Sequence, residues 1–319
     1  MLKEQTIKNK EQRKYQVQKK DKLTKCQFCT LYFILCTLFV TCSLFFVNFS
    51  SVSAKASKIK NFKEIKPSQI RSYSAAAIDE ESGELLFGKR ENEKNPVASI
   101  TKILGAYVFL SEGPDLDKTA RMEQGDEAGG GRLRLPVGTK AKQKDFLYAS
   151  LIGSANNSAT ALIRLSGLGK NSFIDKMNDL ADTAGAPGAK FVDACGISPN
   201  NTGSAEELAL IGRKVFANNQ ICNISARKKY SFKINGGKGK KTVTHTSTIV
   251  KRKISAFKTL AAKTGYLPEV GNNLITKLQN KKNGKEKIIV VTMGAKSQNS
   301  AVQDTKNIGK WVFENYKWE

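Results

Sequence analysis

Histidine is almost absent: His245 is the one imidazole in 319 residues. That excludes a histidine-built metal centre, and a Ser-His-Asp hydrolase would have to take His245 as its base. The residue lies in a basic segment with no catalytic motif around it, so it reads as a solvated loop or strand histidine. Acid is scarce too: 28 Asp and Glu stand against 53 Lys and Arg, a net charge of +25. Such an excess attracts polyanions, whether nucleic acid, envelope polymers or anionic lipid surfaces. Four of the six cysteines, Cys26, Cys29, Cys36 and Cys42, lie in or beside one apolar run, leaving only Cys195 and Cys222 beyond it. No Cys-x-x-Cys occurs in that later part, so no structural zinc site is expected. Cys195 and Cys222 can pair outside the cytoplasm. Two separate buried thiols is the preferred reading. No internal repeat is visible.

What is present begins with that apolar run, FCTLYFILCTLFVTCSLFFVNF, residues 28–49, which carries no charge. At about 1.5 Å per residue it can cross a bilayer as a helix. The lysine-rich residues 1–25 before it predict a cytoplasmic amino terminus, with everything later outside. The run is longer than a usual signal core, which favours an uncleaved anchor. Val52-Ser53-Ala54 offers small residues that a signal peptidase accepts, so a cleaved signal is the alternative. Both readings export the remainder and remove nucleic acid as a partner. The expected organisation is a basic segment over residues 1–25, an anchor or signal over 26–50, a basic linker over 51–70 and a catalytic domain over 71–319. The localisation that follows is the extracytoplasmic face of the membrane, or secretion if the segment is cleaved.

Within the exported part, YSAAAID reads as a buried strand, EESG as a turn and ELLFGK as a second strand, together a hairpin. After the loop NEKNP a helix opens at ASITK, residues 98–102, with Ile100, Ile103, Leu104, Tyr107, Val108 and Leu110 at helical spacing and Gly113-Pro114 as its stop. GGGRLRLPVG, residues 129–138, reads as a loop running into a short strand. Two helices follow, broken at SANN, then a helix over SFIDKMNDLADTAG and another over SAEELALIGRKVF, whose Ser204 and Glu207 form a capping box. Residues 227–258 hold many lysines and arginines and no acid. A strand ending in Lys263-Thr264-Gly265, a hairpin turning at Asn283-Gly284 and a closing helix complete the chain. The fold class is α+β: an antiparallel sheet whose outer strands come from distant parts of the chain, with a mostly helical lobe between.

Ser99 and Lys102 are three positions apart, so on a helix they share a face. A serine hydroxyl is a weak nucleophile until a base takes its proton, and an amine serves once burial or a second cation lowers its pKa. Lys263 can supply that cation. Ser99-x-x-Lys102, then Ser154-Ala155-Asn156, then Lys263-Thr264-Gly265 is the order of elements found in penicillin-binding proteins and class A β-lactamases. Each alone is a common accident, with a capping serine, a turn serine and solvated lysines as the plain explanation. The ordered set is not. From about residue 72 to 318, NPVASITKILGAYVFL, LIGSANNSATALI, FVDACGISPNNTGSAEELA and AAKTGYLPEVGNNL resemble the single-domain D-alanyl-D-alanine peptidases among the low-molecular-mass penicillin-binding proteins.

The resemblance implies the penicillin-binding-protein and β-lactamase-like fold, an antiparallel sheet with flanking helices plus an α-helical lobe. It implies Ser99 as nucleophile, Lys102 as base and Ser154 as proton relay. Asn156, Lys263, Thr264, Gly265 and Tyr266 would bind substrate: Asn156 a peptide group, Lys263 and Thr264 a carboxylate, Gly265 by admitting substrate backbone. The backbone N–H groups of Ser99 and Tyr266 would hold the oxyanion. No metal or cofactor is implied. The implied substrates are peptidoglycan stem peptides, with β-lactam antibiotics as covalent inhibitors.

Within the family, the Glu-x-x-Leu-Asn pattern of class A β-lactamases is missing, and Glu206 and Glu207 read as a helix first turn. A β-lactamase is therefore not favoured, nor is an inactive peptidoglycan binder, since Ser99, Lys102, Ser154 and Lys263 are all present. A D,D-carboxypeptidase ranks first. A D,D-endopeptidase is the alternative, on the short architecture and the GGGRLRL loop. The chain ends at Glu319, without the second β-rich domain and carboxyl-terminal anchor of many carboxypeptidases. Two departures, Cys195 in place of a proline or small residue and the polar NNLIT, are expected to leave the catalytic groups untouched. Residues 227–258, directly ahead of the Lys-Thr-Gly strand, are expected near one end of the groove, where cations draw in anionic polymers and salt weakens the pull.

Overall fold

A computed structural model of the chain describes residues 55–252 and 254–319. The basic segment, the apolar run, its four cysteines and Val52-Ser53-Ala54 lie outside the described residues. Among the described residues no helix is long and apolar enough to cross a membrane.

Residues 55–70 are not a linker. Their first strand, β1 (Ala56–Lys58), pairs antiparallel with the chain's last, Tyr316–Trp318. Ala56 and Ile70 are buried, and Phe62 meets Trp311 edge-on at 5.6 Å. The lysines dominate the composition here, but the apolar residues between them reach the domain and fix the segment to it.

The hairpin expected next is β2 (Ser74–Asp79) and β3 (Leu85–Lys89). Short β4 (Asn95–Pro96) leads through a 3-10 turn, Ala98–Thr101, into α1 (Lys102–Ser111). The middle lobe holds β5 (Thr119–Arg121), β6 (Lys140–Lys142), α2 (Gln143–Ile152), α3 (Asn156–Leu165), α4 (Lys170–Thr183), β7 (Thr202–Gly203), α5 (Ala205–Phe216) and α6 (Asn219–Ser225). Ser204 and Glu207 cap α5 reciprocally, as read. Residues 227–258 contain a hairpin that periodicity did not reveal, β8 (Lys229–Ile234) and β9 (Gly239–Thr244). The chain closes with β10 (Phe257–Leu267), β11 (Gly271–Asn280), β12 (Lys287–Ala295), α7 (Gln298–Asn315) and β13 (Tyr316–Trp318).

The central sheet has the order β10-β11-β12-β2-β3, antiparallel throughout, so its two edges come from distant parts of the sequence. Side chains alternate between faces along each strand. Ala76, Ile78, Ile289, Val291 and Met293 join the core shared with α1 and α5. Ala75, Ala77, Ile288 and Val290 join the core under α7. Both faces are covered, which is why these strands read as continuous apolar runs. The Lys-Thr-Gly strand does not end at glycine: β10 runs on through Tyr266 to Leu267 and pairs with β11 with one irregularity between Thr259 and Ala261.

Candidate active site

Ser99 sits in the 3-10 turn and Lys102 is the first residue of α1, so the two meet across the junction of the turn and the helix. The Ser99 hydroxyl caps nothing. Lys102 is fully buried. Its Nζ lies 2.8 Å from Ser99 Oγ and 2.7 Å from Asn156 Oδ1, and it also donates to the Cys195 carbonyl. Three acceptors match the three hydrogens of an ammonium. Remove one proton and the remaining two N–H groups serve Asn156 and Cys195, leaving a lone pair facing the Ser99 hydroxyl. Burial pushes the Lys102 pKa down from 10.5 to about 8, so that loss comes near neutral pH.

Ser154 stands between α2 and α3 with φ +55°, a conformation that a non-glycine residue holds only when its surroundings impose it. It accepts a hydrogen bond from Lys263 Nζ at 2.7 Å. Lys263 is fully buried on β10 and also donates to the Thr264 carbonyl at 2.8 Å. Burial, then repulsion from Lys102, holds its pKa well below the usual lysine value. The influence runs opposite to the expectation: the charge of Lys102 lowers Lys263, while burial rather than Lys263 lowers Lys102.

Asn156 opens α3. Its Oδ1 holds Lys102 and one Nδ2 hydrogen goes to the Gly129 carbonyl at 2.5 Å, leaving one N–H. It is thus first a positioning group for the lysine and the glycine loop. Thr264 Oγ1 shares a hydrogen with Thr246 Oγ1 at 2.6 Å. Gly265 is pressed by the chain itself: a Cβ there would lie 2.9 Å from the Val97 carbonyl and 3.2 Å from Ser99 N. Gly265 also lines the catalytic cavity. Its lack of a side chain lets β10 lie against the Ser99 turn, bringing the backbone of Gly265-Tyr266 beside that of Ser99. Tyr266 is 60% exposed. A cavity of about 580 Å³ opens between residues 129–131, Ser154, Ile197, Thr264 and Tyr266, with Ser99 in its wall. All the sequence-derived site residues therefore gather at one place, with Lys102 and Lys263 behind the wall.

Three features escaped the sequence reading. Cys195 does touch the reacting groups, because its carbonyl accepts from Lys102 and lies 3.4 Å from Ser99 Oγ. Its thiol lies 3.2 Å from both Thr160 Oγ1 and the Asn156 carbonyl, and burial pushes its pKa up, so it stays protonated. Both Cys195 and Cys222 are free thiols. Asp193 gathers the segment: one carboxylate oxygen accepts from the Cys195 and Gly196 amides at 2.7 and 2.6 Å, the other from Ser198 N and Asn201 Nδ2 at 2.8 and 2.9 Å. An acid followed by a glycine two or three residues on is a turn signal, but its target, Lys102, held through the carbonyl of Cys195 93 residues later in the chain, is not written locally. Gly196, at φ +73°, backs onto the Ser99 turn, and a Cβ there would overlap the Ala98 carbonyl at 1.9 Å. Gly196→Ala is therefore expected to cost about 2 kcal/mol or more of stability and to slow penicillin acylation about tenfold, since the turn must move. Thermal melts and acylation rates measured together check this, and parent-like values of both would refute it.

His245 is buried, not solvated. Its Nδ1 accepts from Ser247 N at 2.9 Å and its Nε2 lies 3.2 Å from the Ala262 carbonyl. Burial, and then the charge of Lys263, push its pKa down to about 4. It braces β10 from the side and has no bond to Ser99. NNLIT is structural in part: Asn273 donates to the Pro96 carbonyl at 3.0 Å and accepts from Gly294 N at 2.9 Å, steadying the approach to the Ser99 turn.

Known proteins resemble this chain in sequence and in fold. The family model described as D-alanyl-D-alanine carboxypeptidase matches residues 60–297. A D-alanyl-D-alanine endopeptidase of Haemophilus influenzae is 30% identical over 214 residues, 66% of this chain and 71% of that protein. The D-alanyl-D-alanine carboxypeptidase DacF of Bacillus subtilis is 24% identical over 251 residues, 76% of this chain and 62% of that protein. The crystal structure of a Mycobacterium tuberculosis D-alanyl-D-alanine carboxypeptidase superposes with a TM-score of 0.71 at 21% identity, covering 81% of this chain and 96% of that one.

Proposed function

The chain belongs to the D-alanyl-D-alanine carboxypeptidase family of serine peptidases, and on that premise we propose that it removes the terminal D-alanine of peptidoglycan stem peptides through an ester on Ser99. The observation that carries this is the buried Lys102 Nζ at 2.8 Å from Ser99 Oγ, poised to lose its proton. Neutral Lys102 takes the Ser99 proton as Oγ bonds to the penultimate D-alanine carbonyl carbon. The backbone N–H groups of Ser99 and Tyr266 receive the oxyanion, aided by the partial positive charge at the start of α1. The carbon–nitrogen bond then breaks, and the proton passes through Lys102 and Ser154 to the departing amine. Water cleaves the ester and restores Ser99. Thr264 receives the substrate's terminal carboxylate, with Lys263 behind it, and the second N–H of Asn156 a peptide carbonyl. A β-lactam enters the same cavity and forms the same ester. Residues 28–49 tether the enzyme to the membrane with its catalytic domain outside the cytoplasm, or direct its secretion if cleaved.

A D,D-endopeptidase is the second reading, favoured by the likeness to the Haemophilus influenzae endopeptidase and by the glycine loop at residues 129–131 in the cavity wall. Mass analysis of digested peptidoglycan separates the two. Carboxypeptidase action shortens free stems by one alanine and leaves cross-linked dimers intact. Conversion of dimers to monomers without release of D-alanine would give the endopeptidase reading instead.

A further inference from the structure

We propose that the lysines around the tip of the β8–β9 hairpin form a second binding site, an anion subsite for the carboxylates of peptidoglycan stem peptides other than the one being cut. This rests on the peptidase reading above. The hairpin is held firmly on one face: Phe232 and Val243 are buried, the Tyr230 ring lies 4.2 Å from that of Tyr148, and its hydroxyl donates to Asp145 at 2.7 Å. Its tip is fastened to β6, whose Lys140 N donates to Asn235 Oδ1 at 2.8 Å.

The charge on this fixed element is uncompensated. Lys233 stands directly across from Lys240, and like charges opposed on neighbouring strands are destabilising. Among the described residues neither has a carboxylate partner, and Asp117 pairs with Lys142 and Lys144. A cavity of about 870 Å³ lies between the tip and the β5–β6 pair, lined by Lys140, Lys142, Lys233, Lys238 and residues 235–237, with no acid in its wall. Lysines gathered around this hollow repel one another, and an anion bound among them relieves that repulsion.

Position identifies the anion. Two residues after β9 ends comes Thr246, which lines the catalytic cavity and bonds Thr264. Eight residues separate Lys238 from Thr246, so at most about 26 Å of extended chain lies between them. A five-residue stem, fully extended, reaches about 17 Å. A neighbouring stem on the same polymer can enter the hollow while the stem being cut holds the catalytic cavity. Carboxylates repeat along such a polymer, so one molecule can occupy both sites, and the effective concentration of the second contact raises overall affinity.

The test compares the parent with the triple variant Lys140→Gln, Lys233→Gln, Lys238→Gln, both first acylated with penicillin so that the catalytic cavity is filled alike. Binding to purified sacculi is measured at low and high salt, and turnover of a short soluble D-alanyl-D-alanine peptide is measured on unblocked enzyme. The variant is expected to bind sacculi about tenfold or more weakly at low salt, to lose most of its salt dependence, and to cleave the short peptide at the parental rate. Sacculi with amidated stem carboxylates should lose the parent's extra binding, and sacculi stripped of phosphodiester polymers should keep it. Equal sacculus binding by variant and parent overturns the proposal, as does binding that disappears with the phosphodiester polymer and survives amidation. A fall in short-peptide turnover matching the loss of binding overturns it too, since the two sites would not be separate. A parent that neither takes penicillin nor cleaves the peptide fails at the peptidase reading, while its sacculus binding remains a separate measurement.

Discussion

Ser99→Ala is expected to abolish the covalent adduct with fluorescent penicillin and to lower peptide turnover about a thousandfold or more. The substitution removes one oxygen that caps no helix, so the fold should be untouched. In the parent the adduct should persist. Class A β-lactamases release penicillin rapidly by using a glutamate to activate water against the ester, and no carboxylate lines the catalytic cavity among the described residues. Glu207 is engaged at the start of α5, accepting from Ser204 N at 2.8 Å. Mass measurement of the intact protein after penicillin exposure, followed over hours, gives both answers. Fast return of unmodified protein with hydrolysed penicillin would place the chain among the β-lactamases. A persistent adduct in Ser99→Ala would move the nucleophile elsewhere.

Lys102→Arg should be nearly as damaging, although it keeps the charge. A guanidinium does not deprotonate near neutral pH, so it cannot take the Ser99 proton. It also cannot aim three separate hydrogens at Ser99, Asn156 and Cys195 as the ammonium does. The parent's acylation rate should rise with pH about a midpoint near 8, where burial has set the Lys102 pKa. The direction follows from the need for the neutral amine: below the midpoint most molecules hold the inactive ammonium. A rising limb near 4 with none near 8 would transfer the role to His245, whose pKa lies there.

Local pattern carried much of this. The three-residue spacing of Ser99 and Lys102, the Ser204–Glu207 cap and the turn at Asn283-Gly284 are short-range facts, and helix or turn geometry converts them directly into position. The sheet was legible because β2 and β12 are apolar on both faces. What was illegible depends on pairs far apart in the chain. The Cys195 carbonyl that holds Lys102 is backbone, and any residue type would present it. Gly196 and Gly265 are needed only because the Ser99 turn is pressed on both of them. Lysines at residues 55–66 suggested solvent, yet the pairing of Ala56 with Trp318 spans the whole domain. His245 looked like surface because its sequence neighbours are basic, while its surroundings in space are the β10 backbone and Lys263.

The burial of His245 makes folding itself a proton-linked reaction. Unfolded, its imidazole titrates at 6.5; folded, at about 4. Above about pH 6.5 both forms are neutral and the stability contributed by this difference is fully present. As pH falls the unfolded chain takes up a proton that the folded chain refuses, and the loss accumulates to about 3 kcal/mol by pH 4, below which it stops growing. That is a sizeable part of an ordinary domain's margin. Unfolding in mild acid is thus accompanied by proton uptake at a residue that takes no part in catalysis, and the strand it braces is the one that carries Lys263, Thr264 and Gly265.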